Sequence, residues 1–325
     1  MPEVSTTLIM MYFKPAELPI RKALMKQHNG NKGQSRIFGR DMMNDKAIVL
    51  TSFGTTLTDE RRRTLKHMQN LTQKAYPDWD VYIAFTSRIV IDRISKQEGE
   101  KFYSERAMFY HLASEGYREV AYQPLHIIPG AEYSKIMQLV YKWKADLVFR
   151  RLVIGRPLLY FIGQGDERPD DYQLLLDTLK DVIPSAPQEG LLLLAHGTNH
   201  PAQAVYSALQ LKANQLGYDN VWIGTLEGFP EWREAAKQMR FAGIRKIHVK
   251  PLFFHAGEHV SVDIFSKEES VVQKLLEYGF IVEEDWQSLG QIEDILKLYM
   301  QHLDDAISER YRGRSHGRPA IPSII

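Results

Sequence analysis

Residues 191–201 read LLLLAHGTNHP, and the fold follows from how that stretch is parsed. Four consecutive leucines leave no polar face, so the run is expected as a strand buried on both sides, the habit of a parallel sheet. The small residues that follow turn the chain at the carboxyl end of the strand, the edge at which open α/β sheets bind their ligands. His196 is placed at that edge. Two later strands use the same grammar: VWIGTLEGFP delivers Glu227, and IHVKPLFFHAGEHV delivers His259. Two imidazoles and a carboxylate at three strand ends form a donor set suited to a divalent first-row metal such as cobalt, iron, nickel or zinc. The spacing is neither that of a zinc finger nor that of a helical metalloprotease motif.

Outward from this stretch, strands alternate with helices. KAIVLTSF, DVYIAF, REVAYQPL, RLVIG, LLLLA, NVWIGT, KIHVKPLF and FIVEE are the expected strands. Helices are expected near 58–75, 87–97, 104–115, 132–149, 170–182, 201–216, 231–242, 264–278 and 290–309, the first capped by Thr58 or Asp59. Such alternation predicts an α/β fold with parallel sheets covered by helices. The chain also repeats itself in order. TSFGT (51–55) matches LAHGT (194–198), VYIAFTS (81–87) matches VWIGTLE (221–227), and PLHIIPGAE (124–132) matches PLFFHAGEH (251–259). The repeat predicts two similar Rossmann-like or flavodoxin-like halves, residues 46–185 and 186–310, with a cleft between them. In this register His196 pairs with Phe53, Glu227 with Ser87 and His259 with Glu132. The metal-type ligands thus fall in the second half, and the first half is left as a substrate wall. Residues 1–45, with the linker-like HNGNKGQSR at 28–36, form an N-terminal extension, and 311–325 a loose tail.

Composition removes several classes of function. The 325 residues are 44% hydrophobic and 25% charged, ordinary for a globular protein. With 41 basic and 40 acidic residues the net charge is +1, which gives no field for nucleic acid or an anionic membrane. Cysteine is absent, so disulfides, thiolate metal sites and cysteine nucleophiles are excluded. The apolar run at 8–13 is too short for a signal-peptide core, Glu3 stands where basic residues belong, and no run approaches the roughly 20 residues of a membrane span. A cytoplasmic protein is expected. The arginines at 61–63 are expected in a solvated helical turn, His200 at a helix start, His248 in the core, and His255 as a local hydrogen-bond partner.

Six motifs, AHGTNHPAQAVYSAL, GTLEGFPEW, PLFFHAGEHVSVD, SFGT, AFTS and PLHIIPGAEY, together resemble the anaerobic, ATP-independent cobalt chelatases that insert cobalt into sirohydrochlorin. These are members of the class II chelatase superfamily, which includes ferrochelatases. The resemblance covers about residues 46–305. It implies a chelatase-like fold of two facing α/β domains, and it implies His196, Glu227 and His259 as metal ligands, the same three that the strand ends single out. It also implies a tetrapyrrole partner and a divalent metal as substrate, cobalt first with iron or nickel as alternatives, and no ATP or other nucleotide. The chain departs from the family after His259, where Val262 precedes Asp263 in place of an Asn-Asp pair, SKEESVV replaces an acidic loop, and the N-terminal extension is additional.

Metal insertion needs a held metal, a held ring and a base for two pyrrole protons. His196 is expected to serve as ligand and proton acceptor, Glu227 to offset metal charge, and His259 to complete an open three-ligand site. Glu132 is expected either to relay protons or hold the ring, or else to stabilise its helix N-terminus. Ser52, Thr55, Thr86, Ser87 and Thr198 are candidate donors to substrate carboxylates, with Arg88 as a bidentate clamp and His126 as a further contact. Two other readings stay open: a haem- or metalloporphyrin-handling protein on the same fold, and a periplasmic-type two-domain binding protein. Assembly as a homo-oligomer fits each of them.

Overall fold

The computed structural model describes residues 44–163, 168–257, 260–266 and 268–311. His259, nearly all of the N-terminal extension and nearly all of the tail are outside the described residues, and so are the expectations that fall on them.

Among the described residues nine strands form two sheets. β1 (Lys46–Ser52), β2 (Asp80–Phe85), β3 (Tyr103–Ser104), β4 (Glu119–Pro124) and β5 (Arg151–Ile154) lie in the order β3-β2-β1-β4-β5. β6 (Glu189–Ala195), β7 (Val221–Thr225), β8 (Lys246–Pro251) and β9 (Ile281–Glu284) lie in the order β7-β6-β8-β9. Every strand pairing is parallel. Without the two-residue β3 the orders coincide, so β1, β2, β4 and β5 are the counterparts of β6, β7, β8 and β9. The expected α/β architecture is the observed one.

The correspondence continues past the strands. Thr86 N–H donates to Ser52 O and Leu226 N–H to Ala195 O, both at 2.9 Å. Leu125 N–H donates to Thr51 O and Leu252 N–H to Leu194 O, both at 2.7 Å. Gly54 and Gly197, which follow β1 and β6 at the same offset, have φ of 95° and 88°. Phe53 and His196 are therefore each the first residue beyond equivalent strands.

Alternation along the strands builds the core. Ile48 and Leu50 of β1 share one apolar layer with Leu191 and Leu193 of β6, a layer common to both halves. Ala47 and Val49 point the other way, toward Phe109 and Trp143, while Leu192 and Leu194 pack with Ile247 and Val249. The four leucines are at most 1% exposed. Each such burial is worth about 1.5–3 kcal/mol, and a register slip would exchange the two faces.

Helices Arg88–Glu98, Glu105–Glu115, Ala131–Ala145, Asp171–Thr178, Ala204–Gln215 and Trp232–Phe241 fall in the expected segments. Several details differ from expectation. The first helix runs Thr58–Arg61, widens into π geometry over Arg62–Lys66 and resumes at His67–Ala75. Its N-cap is Leu57, whose side chain has no acceptor to offer, and Thr58 Oγ1 is turned to Glu98 at 3.1 Å. Arg61 is buried, not solvated: it pairs with Glu98 and donates to the Thr55 carbonyl at 3.0 Å, pinning the turn after β1. The helix expected over 264–278 is split into a π turn, Val260–Ile264, and a helix, Val271–Glu277, that Ser270 caps. His248 is half-buried and hydrogen-bonded to Glu189 at 2.6 Å, with Glu283 3.6 Å away, rather than a core residue. The last helix, Glu293–Ile307, follows the second half in sequence but packs on β4 and β5 of the first, burying Ile295, Leu296, Tyr299 and Leu303.

Candidate active site

The loops after β1, β4, β6 and β8 line one cleft of about 520 Å³. Its walls are largely apolar. Phe53 and Ile89 face it while 48% and 66% exposed, with Ile127, Ile128, Phe253 and Phe254 beside them. An apolar concavity with a few polar groups is the usual form of a small-molecule site.

His196 lines this cleft, half-buried at the end of β6. Its Nδ1 lies 3.1 Å from the Gly197 carbonyl, the geometry of an N–H donated to that oxygen. Glu227 is joined to it through the backbone, its N–H donating to the His196 carbonyl at 2.9 Å. Gly197 makes that approach feasible, because a Cβ there would stand 1.7 Å from the Glu227 carbonyl oxygen. Gln203 braces the pair, accepting the Thr198 N–H at 2.7 Å and donating to the Phe229 carbonyl at 2.7 Å. The Thr198 amide is thus already engaged. Glu227 itself is exposed and stands outside the cleft lining. Among the described residues no three His, Asp or Glu side chains converge on a metal-binding set, and the third candidate, His259, lies outside them.

The polar candidates of the first half divide. Ser52 lines the cleft, its buried Oγ without a partner among the described residues. Ser87 also lines it but caps the helix Arg88–Glu98, accepting the Val90 N–H at 3.3 Å. Thr55 lines it while its Oγ1 accepts the Leu57 N–H at 3.2 Å. Thr86 has a buried Oγ1 without a partner among the described residues, yet is not part of the lining. Arg88 is exposed and off the cleft; its charge acts on Glu105, a carboxyl that burial raises and Arg88 partly holds down. The arginine on the wall is Arg93, four residues after Ile89 on the same helix face. Counting the helical period from Ile89 would have found it.

A second polar group faces the same cleft. His126, Glu132 and His255 all line it. Both ring nitrogens of His126, Oε2 of Glu132 and Nδ1 of His255 are buried without a partner among the described residues. Glu132 Oε1 accepts Lys135 Nζ at 2.7 Å in the first turn of its helix. Burial pushes His126 down to about 4 against the opposing pull of Glu132. Burial, helped by the neighbouring His126, pushes His255 down to about 4 as well. At neutral pH both are uncharged lone-pair acceptors. Tyr299, from the returning helix, donates to the carbonyls of Leu125 and His126 at 3.2 Å each and fixes that loop.

Two parallel α/β halves that carry histidines from strand ends into a shared apolar cleft define a two-sheet α/β protein with a small-molecule site at the carboxyl edges of its strands. A structure of SirB from Bacillus subtilis with Fe3+ has this fold, with a TM-score of 0.52, 14% identity, and coverage of 81% of this chain and 97% of that one. The cobalt chelatase (CbiK) family matches residues 46–308, and the chain belongs to that family. It is 29% identical over 265 residues to the sirohydrochlorin cobaltochelatase of Salmonella typhimurium, spanning 81% of this chain and 97% of that protein. With the sirohydrochlorin cobaltochelatase CbiKC of Nitratidesulfovibrio vulgaris the identity is 28% over 269 residues, spanning 82% and 92%. Among the described residues no helix is long and apolar enough to cross a membrane.

Proposed function

We propose that this protein is a sirohydrochlorin cobaltochelatase of anaerobic cobalamin biosynthesis, working in the cytoplasm without ATP. The observation that carries this reading is the family match across both halves, with His196 standing on the wall of the cleft that they share. His196, Glu227 and His259 hold the metal, and the wall of Phe53 and Ile89 takes one face of the ring. Insertion exchanges two pyrrole N–H protons for one divalent ion. His196 takes one proton as the metal passes to the ring. His126 takes the other and hands it to Glu132, which reaches solvent beside Lys135. Ser52 and Arg93 meet polar substituents of the substrate, the arginine in a charge-assisted hydrogen bond.

Purified protein given sirohydrochlorin with cobalt, iron or nickel side by side tests the reading, through loss of the metal-free absorption spectrum. Cobalt turnover should be fastest. Tight haem binding with no insertion of any of the three metals would replace this function with metalloporphyrin handling.

A further inference from the structure

The first helix carries a buried carboxylate that the proposed chemistry does not use. Glu60 is 8% exposed, and three donors reach it, all from the second half. Oε1 accepts the Ala256 N–H at 2.8 Å and the Ser288 hydroxyl, and Oε2 accepts Gln291 Nε2 at 2.8 Å. Ala256 directly follows His255 and stands three residues before His259. The segment that contains it is also gripped from its other edge. Leu289 N–H donates to the Phe253 carbonyl at 2.9 Å and Gly290 N–H to the Phe254 carbonyl at 2.7 Å. Gly290 sits so close that a Cβ on it would lie 2.3 Å from the Phe254 carbonyl oxygen and 3.0 Å from Thr64 Cβ.

A carboxylate placed here is a poor choice for packing alone, since taking its charge out of water is costly unless donors replace the water. What it offers is two oxygens that together receive three donors from two separate segments, a capacity that a neutral side chain of this size lacks. It therefore ties the strand end of β8 and the 288–291 turn to one point on the first half.

We infer that Glu60 is a positioning residue for the metal-ligand loop: through the Ala256 N–H it fixes the His255–Ala256 end of that loop against the first half, and so sets the point from which the chain leaves toward the candidate ligand His259. The inference rests on the proposed function in taking His259 as a ligand. Residues that hold ligands from behind typically change metal affinity by about 10- to 100-fold when removed.

The test uses the full chain and three variants, Glu60→Ala, Glu60→Gln and the exchange Glu60→Gln with Gln291→Glu. Cobalt is titrated calorimetrically without tetrapyrrole, and insertion rates are measured against cobalt and sirohydrochlorin separately. Glu60→Ala should raise the cobalt Kd and the cobalt KM about tenfold or more while leaving the sirohydrochlorin KM within about twofold. The exchange should recover most of the cobalt affinity lost in Glu60→Gln. In it the amide carbonyl at position 60 still accepts the Ala256 N–H, while the amide nitrogen donates to the carboxylate now at position 291. If Glu60→Ala does not fold, the comparison of Glu60→Gln with the exchange decides. A cobalt Kd equal to wild type in the folded variants, or a loss that the exchange does not recover, overturns the inference. Failure of the wild type to insert cobalt would overturn the proposed function instead, and the cobalt titration would still read the positioning.

Discussion

The N–H of Glu227 donates to the carbonyl of His196 at 2.9 Å, just as the N–H of Ser87 donates to the carbonyl of Phe53 at 3.2 Å in the other half. The loop after β7 thus hangs on the loop after β6 by one further rung of the ladder that joins the strands. Two candidate ligands inherit the rigidity of the sheet, which is how a site is held ready before its metal arrives. In the first half the same backbone presents a phenyl ring and a hydroxyl. The two halves differ in chemistry at these side chains and agree in the scaffold beneath them.

Gly197 is what allows the two loops to touch. Its φ is +88°, and a Cβ would meet the Glu227 carbonyl oxygen at 1.7 Å, an obstacle that no side-chain rotation relieves. Strained backbone of this kind costs about 1–3 kcal/mol for a residue other than glycine, before the clash is added. Gly197→Ala should therefore lower the denaturant midpoint and weaken cobalt binding. Gly217→Ala is the matched control, since Gly217 has φ of +83° but nothing within 4 Å of its would-be Cβ. Equal midpoints and equal cobalt affinities for the two variants would contradict the coupling of His196 to Glu227.

Phe53 and His196 occupy equivalent positions and should fail in opposite ways. Phe53 is a cleft wall, so Phe53→Ala should raise the sirohydrochlorin KM by about 10- to 100-fold, the equivalent of about 1.5–3 kcal/mol of lost apolar contact, with the cobalt KM unchanged. His196→Ala, which in the proposed function removes a ligand and a proton acceptor together, should lower turnover by about 10² to 10⁴ even at saturating cobalt. Initial rates with each substrate varied in turn separate the two. A Phe53→Ala enzyme with an unaltered sirohydrochlorin KM would move the ring wall elsewhere.

The fold was legible because its signal is local. A run of four leucines has few alternatives to a doubly covered strand, and TSFGT beside LAHGT identifies equivalent strand ends whatever surrounds them. The placement of His196 follows from the same signal. Other residues depend on contacts that no local pattern carries. Arg61, Arg62 and Arg63 are identical in sequence, and only the meeting of Arg61 with Thr55 and with Glu98 selects it for burial. Arg88 and Arg93 differ by the rotation of one helix about its axis. Glu60 looks like a first-turn carboxylate favouring the helix dipole, yet its partners lie 196 and 228 residues away. The return of Glu293–Ile307 to the first sheet is likewise a tertiary fact, with an apolar face that either half could have covered.

The buried imidazoles give the protein a pH dependence of defined sign. In the folded chain His126 and His255 are pushed down to about 4, while their ordinary value is 6.5. Between about pH 6.5 and 4 the unfolded chain binds protons that the folded chain refuses, so stability falls as the pH drops through that window. The slope is up to about 1.4 kcal/mol per pH unit for each histidine. Above the window both states are neutral and the contribution is flat; below it both are protonated and the loss is complete. The titratable groups that act on these rings through their charge are Glu132 and Lys135 on the helix Ala131–Ala145, in opposite directions on His126, and His126 itself, which acts on His255. Denaturant unfolding between pH 4.5 and 7.5 should therefore show a steep decline for the wild type and a shallower one for His126→Gln combined with His255→Gln, since glutamine carries no proton to refuse. Identical slopes would mean that the two rings are hydrated in the folded protein, and the proton route through His126 would lose its neutral acceptor at the base of the cleft.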